Sequence, residues 1–281
     1  MALTYEQKET ILHVQDVSVV YDGKVIIKDI NFEEKNTIRP DKNQGQTIAF
    51  LGRSGRGKST LFRTLTGLER PTTGRVLIPD YSKSVNNGQQ PAKMVDEGDV
   101  GFVNQKYTLF RHKTIYQSLF FALRKSSLSK AEKHDKIMSY LADWGLDVCM
   151  NQYPNFLSGG QRQRTAILEQ LLSSGYYMVL DEPFSGLDVG NIMNVKQSFQ
   201  LINDSHELNT IIFSTHDIEL AVELADSIYI IGYNKADTSG QQAGTIIKHL
   251  DLKEMGLAWH DGLKKEHVDC INSIREILLA S

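Results

Sequence analysis

The stretch Phe50-Leu51-Gly52-Arg53-Ser54-Gly55-Arg56-Gly57-Lys58-Ser59-Thr60 constrains this chain more than any other. An apolar run, Thr47–Leu51, precedes it and a helical pattern from Lys58 through Leu65 follows. The spacing G-x-x-x-x-G-K-S thus falls between a strand and a helix, the setting in which it forms a phosphate loop. Glycines there lack the Cβ that would hold backbone N–H groups away from a polyphosphate, and the helix start adds its positive dipole end. Gly52, Ser54, Gly55, Gly57, Lys58, Ser59 and Thr60 are the expected contacts. Lys58 is placed to reach the terminal phosphates, and the Ser59 hydroxyl to ligate Mg²⁺. Arg53 and Arg56 read as solvated loop charges, with extra phosphate contacts as the alternative.

With 281 residues the chain is long enough for a substantial core, read here as one domain with two lobes. Thirty-one Lys plus Arg against 34 Asp plus Glu gives a net charge of −3, which offers no global field for nucleic acid, and none is expected as a partner. Cys149 and Cys270 have no metal-type spacing, so reduced thiols in a cytosolic setting are expected. No apolar run approaches the ~20 residues that span a bilayer. The first residues also lack the apolar core of a signal peptide. A soluble chain is expected, with any membrane role running through a partner.

Ile11–Tyr21 reads as a strand, Asp22-Gly23 as a hairpin turn and Val25–Phe32 as the partner strand. Tyr21 either stacks on a nucleobase or covers a core edge. The polar stretch between Phe32 and Gly45 reads as a surface loop. Arg75–Ile78 and Val100–Asn104 follow as short strands, the latter ending at Gln105, with residues 81–99 mostly loop. Thr114–Arg124, Lys130–Trp144 and Gln161–Leu172 carry helical periodicity, which predicts a helical lobe inserted in an α/β core.

The run from Gly175 to Leu180 predicts a buried strand that delivers Asp181 and Glu182 at its C-terminal end, where ligands of open parallel sheets gather. Asp181 can hold the water shell of Mg²⁺. Glu182 can lean towards a γ-phosphate and accept a proton from the attacking water. A further strand, Thr210–Ser214, ends at Thr215-His216-Asp217, where His216 can bond the γ-phosphate and Asp217 can cap the next helix. Ser227–Gly232 and Gly244–Lys248 read as closing strands. In the tail from Asp261 to Leu279, Val268, Ile271, Ile274 and Leu278 share a helical face.

Leu157-Ser158-Gly159-Gly160-Gln161 precedes a helix and offers N–H groups, a hydroxyl and a dipole end, but no adjacent lysine. It reads as half a phosphate site that completes another one elsewhere. LSGGQRQR at 157–164, before a strand ending VLDEP, resembles the signature of ATP-binding cassette (ABC) ATPases. The resemblance covers about Ile11 to Gly232 and implies an α/β P-loop NTPase core of ABC type, with an antiparallel β lobe and an inserted α-helical subdomain at about 106–173. It implies an ATP-binding domain over 1–240 and a partly helical C-terminal extension over 241–281.

The same resemblance implies roles. Gly52–Ser59 matches the Walker A loop, Gln105 the Q-loop, Asp181 and Glu182 the Walker B end and catalytic glutamate, 185–188 the D-loop and His216 the switch histidine. Tyr21 falls where the adenine-stacking aromatic lies. Ser59, Gln105 and, through water, Asp181 would hold Mg²⁺, and Ser158, Gly159, Gly160 and Gln161 would contact the ATP of a second copy or related ATPase chain in a head-to-tail dimer.

Gln105–Leu123 is similar to the segment of importer ATPases that receives a helix from transmembrane permease subunits, with a solute-binding protein in the full system. That implies a peripheral position on the inner face of the cell membrane. Arg111, Gln117-Ser118 and Leu168-Glu169-Gln170 depart from the common residues, Glu169 standing where an arginine is frequent. The expected function is an ATPase that powers solute transport, most simply import; the alternative is an ABC ATPase of a soluble assembly, and a non-hydrolysing ATP-gated module is disfavoured by intact Gln105, Glu182 and His216.

Overall fold

The computed structural model describes residues 5–39, 42, 44–85, 90–234, 242–260 and 262–281; the expected N-terminal start, part of the 36–44 loop, residue 241 and Asp261 lie outside them. β1 (Glu6–Tyr21) and β2 (Lys24–Ile38) pair antiparallel across a turn that holds Asp22 and Gly23 at φ 48° and 77°. Positive φ at both positions gives the hairpin turn whose twist matches that of the strands.

The polar run after Phe32, expected as a surface loop, instead continues β2 as far as Ile38, with Glu34, Asn36 and Thr37 buried. Their polarity is met inside: Tyr229 Oη donates to Glu34 Oε1 at 2.8 Å, and Thr37 N donates to Gln46 Oε1 at 3.1 Å. Partnered polar groups are tolerated in a core, which is why composition misplaced them.

β3 (Gln46–Leu51), α1 (Lys58–Leu65), β4 (Thr73–Pro79), β5 (Ala92–Met94) and β6 (Val100–Val103) follow. Between β6 and the next strand lie α2 (Ile115–Ala122), α3 (Lys130–Asp143) and α4 (Gly159–Ser173). Thr114, Ser129 and Ser158 start these three helices with capping boxes, which satisfy otherwise orphaned N–H groups. Then come β7 (Tyr177–Leu180), α5 (Val189–Ser205), β8 (Thr210–Thr215), α6 (Ile218–Leu224), β9 (Ser227–Tyr233), β10 (Gly244–Asp251) and α7 (Lys265–Ala280).

One sheet runs β5-β4-β1-β2-β10-β9-β3-β8-β7-β6, parallel from β9 to β6 and antiparallel from β5 to β2. β3 is buried along its length because both faces are covered. Ile48 and Phe50 pack with Leu61, Phe62 and Leu65 of α1 and with the antiparallel lobe. Ala49 and Leu51 join the opposite core, built on Phe213, Ile167, Leu119 and Ile274.

The stretch beyond residue 241, expected as an extension, is built into this body: β10 lies between β2 and β9, and Ile271 and Ile274 of α7 are buried. Val268, which periodicity puts on one helical face with Ile271 and Ile274, is 48% exposed rather than buried with them, and His267 and Cys270 are buried instead. A histidine can do so because Nε2 donates to Leu257 O at 2.9 Å and Nδ1 accepts from Lys264 N at 2.9 Å, leaving no bare polar atom. Both cysteines are free and buried. Among the described residues no helix is long and apolar enough to cross a membrane.

Candidate active site

β3 ends at a cleft of about 580 Å³ whose walls include Ser54–Thr60, Gln105, Asp181, Glu182, Ser185 and His216. α1 begins at Gly57 with no capping side chain, so its first-turn N–H groups are left to an external acceptor. Gly57 sits at φ 87°, and a Cβ there would lie 2.4 Å from Ile27 Cγ2. Gly52 carries its neighbour close in the same way: a Cβ would stand 2.6 Å from Ile231 O.

Gly57→Ala therefore combines left-handed strain of about 1–2 kcal/mol with a steric clash that pushes the loop off β2. Nucleotide affinity is expected to fall on the order of 10-fold, measured by titration with a fluorescent ATP analogue.

The Lys58 ammonium is buried and held by the loop itself. It donates to Gly52 O at 2.6 Å and to Arg53 O at 3.5 Å, and lies 3.4 Å from Glu182 Oε1. An arriving polyphosphate would exchange for these partners at little desolvation cost, because the ammonium is already out of water. Arg56 is turned elsewhere, its guanidinium 3.5 Å from the Tyr233 ring and its Nη2 donating to Ser281 O at 3.4 Å.

Opposite the loop, Ser214 Oγ donates to Asp181 Oδ1 at 2.6 Å and accepts from Glu182 N at 2.9 Å, so one buried hydroxyl from β8 aims the Asp181 carboxylate and fixes the backbone of Glu182 just beyond β7. Glu182 adopts φ 50°, unusual for a residue with a side chain. Its Oε2 lies 3.0 Å from His216 Nδ1. Backbone strain of this kind persists where the surroundings over-determine it, and here Ser214, Lys58 and His216 do so. The result is a carboxylate held between an ammonium and an imidazole at the mouth of a phosphate loop, a geometry suited to taking a proton from a water.

Gln105 reaches the same cleft, its Nε2 donating to Ser185 Oγ at 3.2 Å. Ser59, Gln105 and Asp181 thus present a hydroxyl, an amide and a carboxylate to one space. Among the described residues no cluster of three or more His, Cys, Asp and Glu forms a protein cage for a metal. That donor set fits a hard cation held by few protein oxygens together with phosphate and water, the habit of Mg²⁺.

Tyr21 is 42% exposed and is not among the residues lining the cleft; its hydroxyl is near Glu69 and Thr60. Ser158, Gly159, Gly160 and Gln161 do not line the cleft. Ser158 and Gly159 are exposed, while the Gln161 amide oxygen is already engaged as acceptor from Ser158 N at 2.9 Å. Sequence reasoning missed Ser214 and Ile26; a lone serine at the end of an apolar strand was the only trace of the first.

A second cleft, of about 330 Å³, opens where α2, α4 and β6 meet the turn after α1. Phe110 and Phe121 meet edge to face at 5.3 Å on its wall, and the Arg124 guanidinium lies 4.5 Å over Phe121. Gln170 Oε1 accepts from Phe102 N at 3.2 Å, satisfying a donor of the edge strand β6. Glu169, on the cleft lining, is only 8% exposed, and its Oε2 is buried with no hydrogen-bond partner.

Burial pushes the Glu169 carboxyl up to about 7 from 4.5, with Arg124 opposing. Because the folded value lies above the unfolded one, the cost of ionising Glu169 is absent below pH ~4.5, grows up to pH ~7 and is then constant at up to about 3 kcal/mol. Glu169→Gln is expected to remove that cost, so denaturant unfolding of the two proteins should diverge between pH 5 and 7, the variant becoming the more stable.

A family model described as ABC transporter matches residues 36–185. The sulfate/thiosulfate import ATP-binding protein CysA of Synechocystis sp. is 36% identical over 228 residues, covering 81% of this chain and 59% of that protein. Its Shewanella oneidensis counterpart CysA 2 is 35% identical over 234 residues, covering 82% and 61%. The chain thus spans 59% and 61% of the length of these two relatives. Among solved structures, cbiO1 from Clostridium perfringens, part of the complex cbiONQ, aligns with TM-score 0.69 at 25% identity over 94% of this chain and 95% of that one. A dimeric ATP-binding cassette in a post-hydrolysis state with ADP and Pi aligns at 0.64 and 22% identity over 86% and 99%.

Proposed function

The chain belongs to the ABC transporter family, and from that premise we propose that it binds and hydrolyses ATP to drive solute import through separate membrane subunits. The observation that carries this reading is Glu182, strained at φ 50° and held at 3.4 Å from Lys58 and 3.0 Å from His216 across the mouth of the phosphate loop. A chain that only bound nucleotide would have no use for a positioned base at that point.

In the proposed reaction the loop N–H groups and Lys58 bind the β- and γ-phosphates, Tyr21 stacks on the adenine, and Glu182 accepts a proton from the attacking water while His216 steadies the γ-phosphate. Ser59, Gln105 and Asp181 would hold Mg²⁺, which, when bound, neutralises charge on the phosphates.

Ser158, Gly159 and Gly160 serve the ATP of a second copy in a head-to-tail dimer. Support comes from their position outside the cleft and from the exposed apolar side chains of Phe156, Val189 and Met193 on the neighbouring turns. In this reading the aromatic residues of 105–123 receive the membrane subunits, with the chain on the inner face of the membrane. Import is the direction named for the relatives, and a solute-binding protein would complete such a system.

Glu182→Gln protein, tagged and purified with ATP and Mg²⁺ from detergent-solubilised native membranes, is expected to retain a multi-spanning membrane protein, identified by mass spectrometry. Recovery of soluble partners alone would overturn the transport reading.

A further inference from the structure

We propose that Glu169 is the seat for a cationic side chain, a lysine or arginine, inserted by the docked segment of the membrane subunit into the cleft between α2 and α4. The proposal rests on the reading above that this face docks a membrane subunit, and it adds the chemistry of the contact.

The carboxylate is out of water, lines an open cleft, and has an oxygen with no partner. A buried charge in that state is costly unless it is paired, so the isolated subunit carries an unmet demand for a cation. Arg124 does not meet it. Its guanidinium lies over Phe121, and Nη1 donates to Phe121 O at 3.4 Å.

Lys125 and Glu97 also line the cleft, yet Glu169 Oε2 has no hydrogen-bond partner. Phe102, Phe110 and Phe121 supply apolar and aromatic surface in the same cleft, and lysine and arginine bury their methylenes against such surface while delivering the charge at the end. The 330 Å³ cleft admits a side chain of that size. The neighbouring Gln170 turns its amide oxygen to Phe102 N, and no donor, its Nε2 included, bonds Glu169 Oε2. An acidic docking residue would put a second negative charge beside the first; a purely apolar one would leave Glu169 unpaired.

Two measurements test the assignment. In the first, the full chain carries ¹³C-carboxyl glutamate and is titrated with n-butylguanidinium and n-butylammonium, probes of the two side chains. The Glu169 resonance is identified by its loss in Glu169→Gln. It is expected to shift saturably with either cation and to titrate at least ~1 pH unit lower in its presence, whereas n-butanol does neither. No saturable shift, or a shift produced by Mg²⁺ but not by the alkyl cations, overturns the proposal.

In the second, Glu169→Gln and Glu169→Arg are placed in the Glu182→Gln background and purified from native membranes, with thermal melts confirming that each is folded. Loss of a charge-assisted pair of about 1.5–3 kcal/mol should lower recovery of the membrane subunit ~10-fold or more with glutamine and further with arginine. Equal recovery overturns the proposal. If no membrane protein is recovered even with Glu169 intact, it is the transport reading that has failed, and the butylguanidinium titration alone decides whether Glu169 is a cation seat.

Discussion

Glu182→Gln is expected to bind ATP as the native chain does and to turn it over ~10²–10⁴-fold more slowly, the usual cost of losing a positioned general base. Glutamine keeps the size of the side chain and an oxygen for His216, so the 3.0 Å contact on that side can persist. What it loses is basicity. The backbone strain at φ 50° belongs to the position rather than to the carboxylate, since Glu182 N remains bonded to Ser214 Oγ. Phosphate release under single-turnover conditions, alongside a nucleotide-binding isotherm, separates the two effects. An unchanged rate would remove Glu182 from the reaction. A matching loss of affinity would make its role one of site architecture.

The second large effect concerns Lys58. Lys58→Ala removes the ammonium that the loop buries at the cleft, while the guanidinium of Arg56 is occupied by Tyr233. A hydrogen bond to a charged group contributes about 1.5–3 kcal/mol, so ATP affinity should fall ~10- to 150-fold. The variant also leaves Glu182 Oε1 without its ammonium 3.4 Å away, so turnover at saturating ATP should fall as well. Isothermal titration and a steady-state assay at high ATP distinguish the losses; an affinity within twofold of the native chain would contradict the placement of Lys58 at the phosphates.

The sequence was most legible where function is carried by contiguous residues. The phosphate loop needs glycines, a lysine and a hydroxyl in one short run between a strand and a helix, and the observed β3 and α1 enclose it where the pattern put them. The acid pair was readable for the same reason, because a buried apolar strand must end where its carboxylates begin.

Legibility failed where a residue's state is set by a partner distant in the chain. Glu34 looks like loop until Tyr229, on another strand, is placed against it. Ser214 is an ordinary strand residue until β7 and β8 are set side by side, when its hydroxyl is found between Asp181 and Glu182. His267 displaced Val268 from the buried face because two backbone groups happened to satisfy both ring nitrogens. Glu169 was visible as a departure in type, but its burial without a partner depends on how α4 meets β6.

The central claim is a site shared between two copies, with Lys58 and Glu182 from one chain and Ser158–Gly160 from the other. Mixing tests it most directly. Lys58→Ala and Ser158→Arg subunits are each purified, shown to be inactive alone, combined with ATP and Mg²⁺, and assayed for phosphate release. In a head-to-tail dimer the mixed pair contains one site with both halves intact, so the mixture is expected to hydrolyse ATP. A mixture as inactive as its components would contradict the account and confine the chemistry to a single chain.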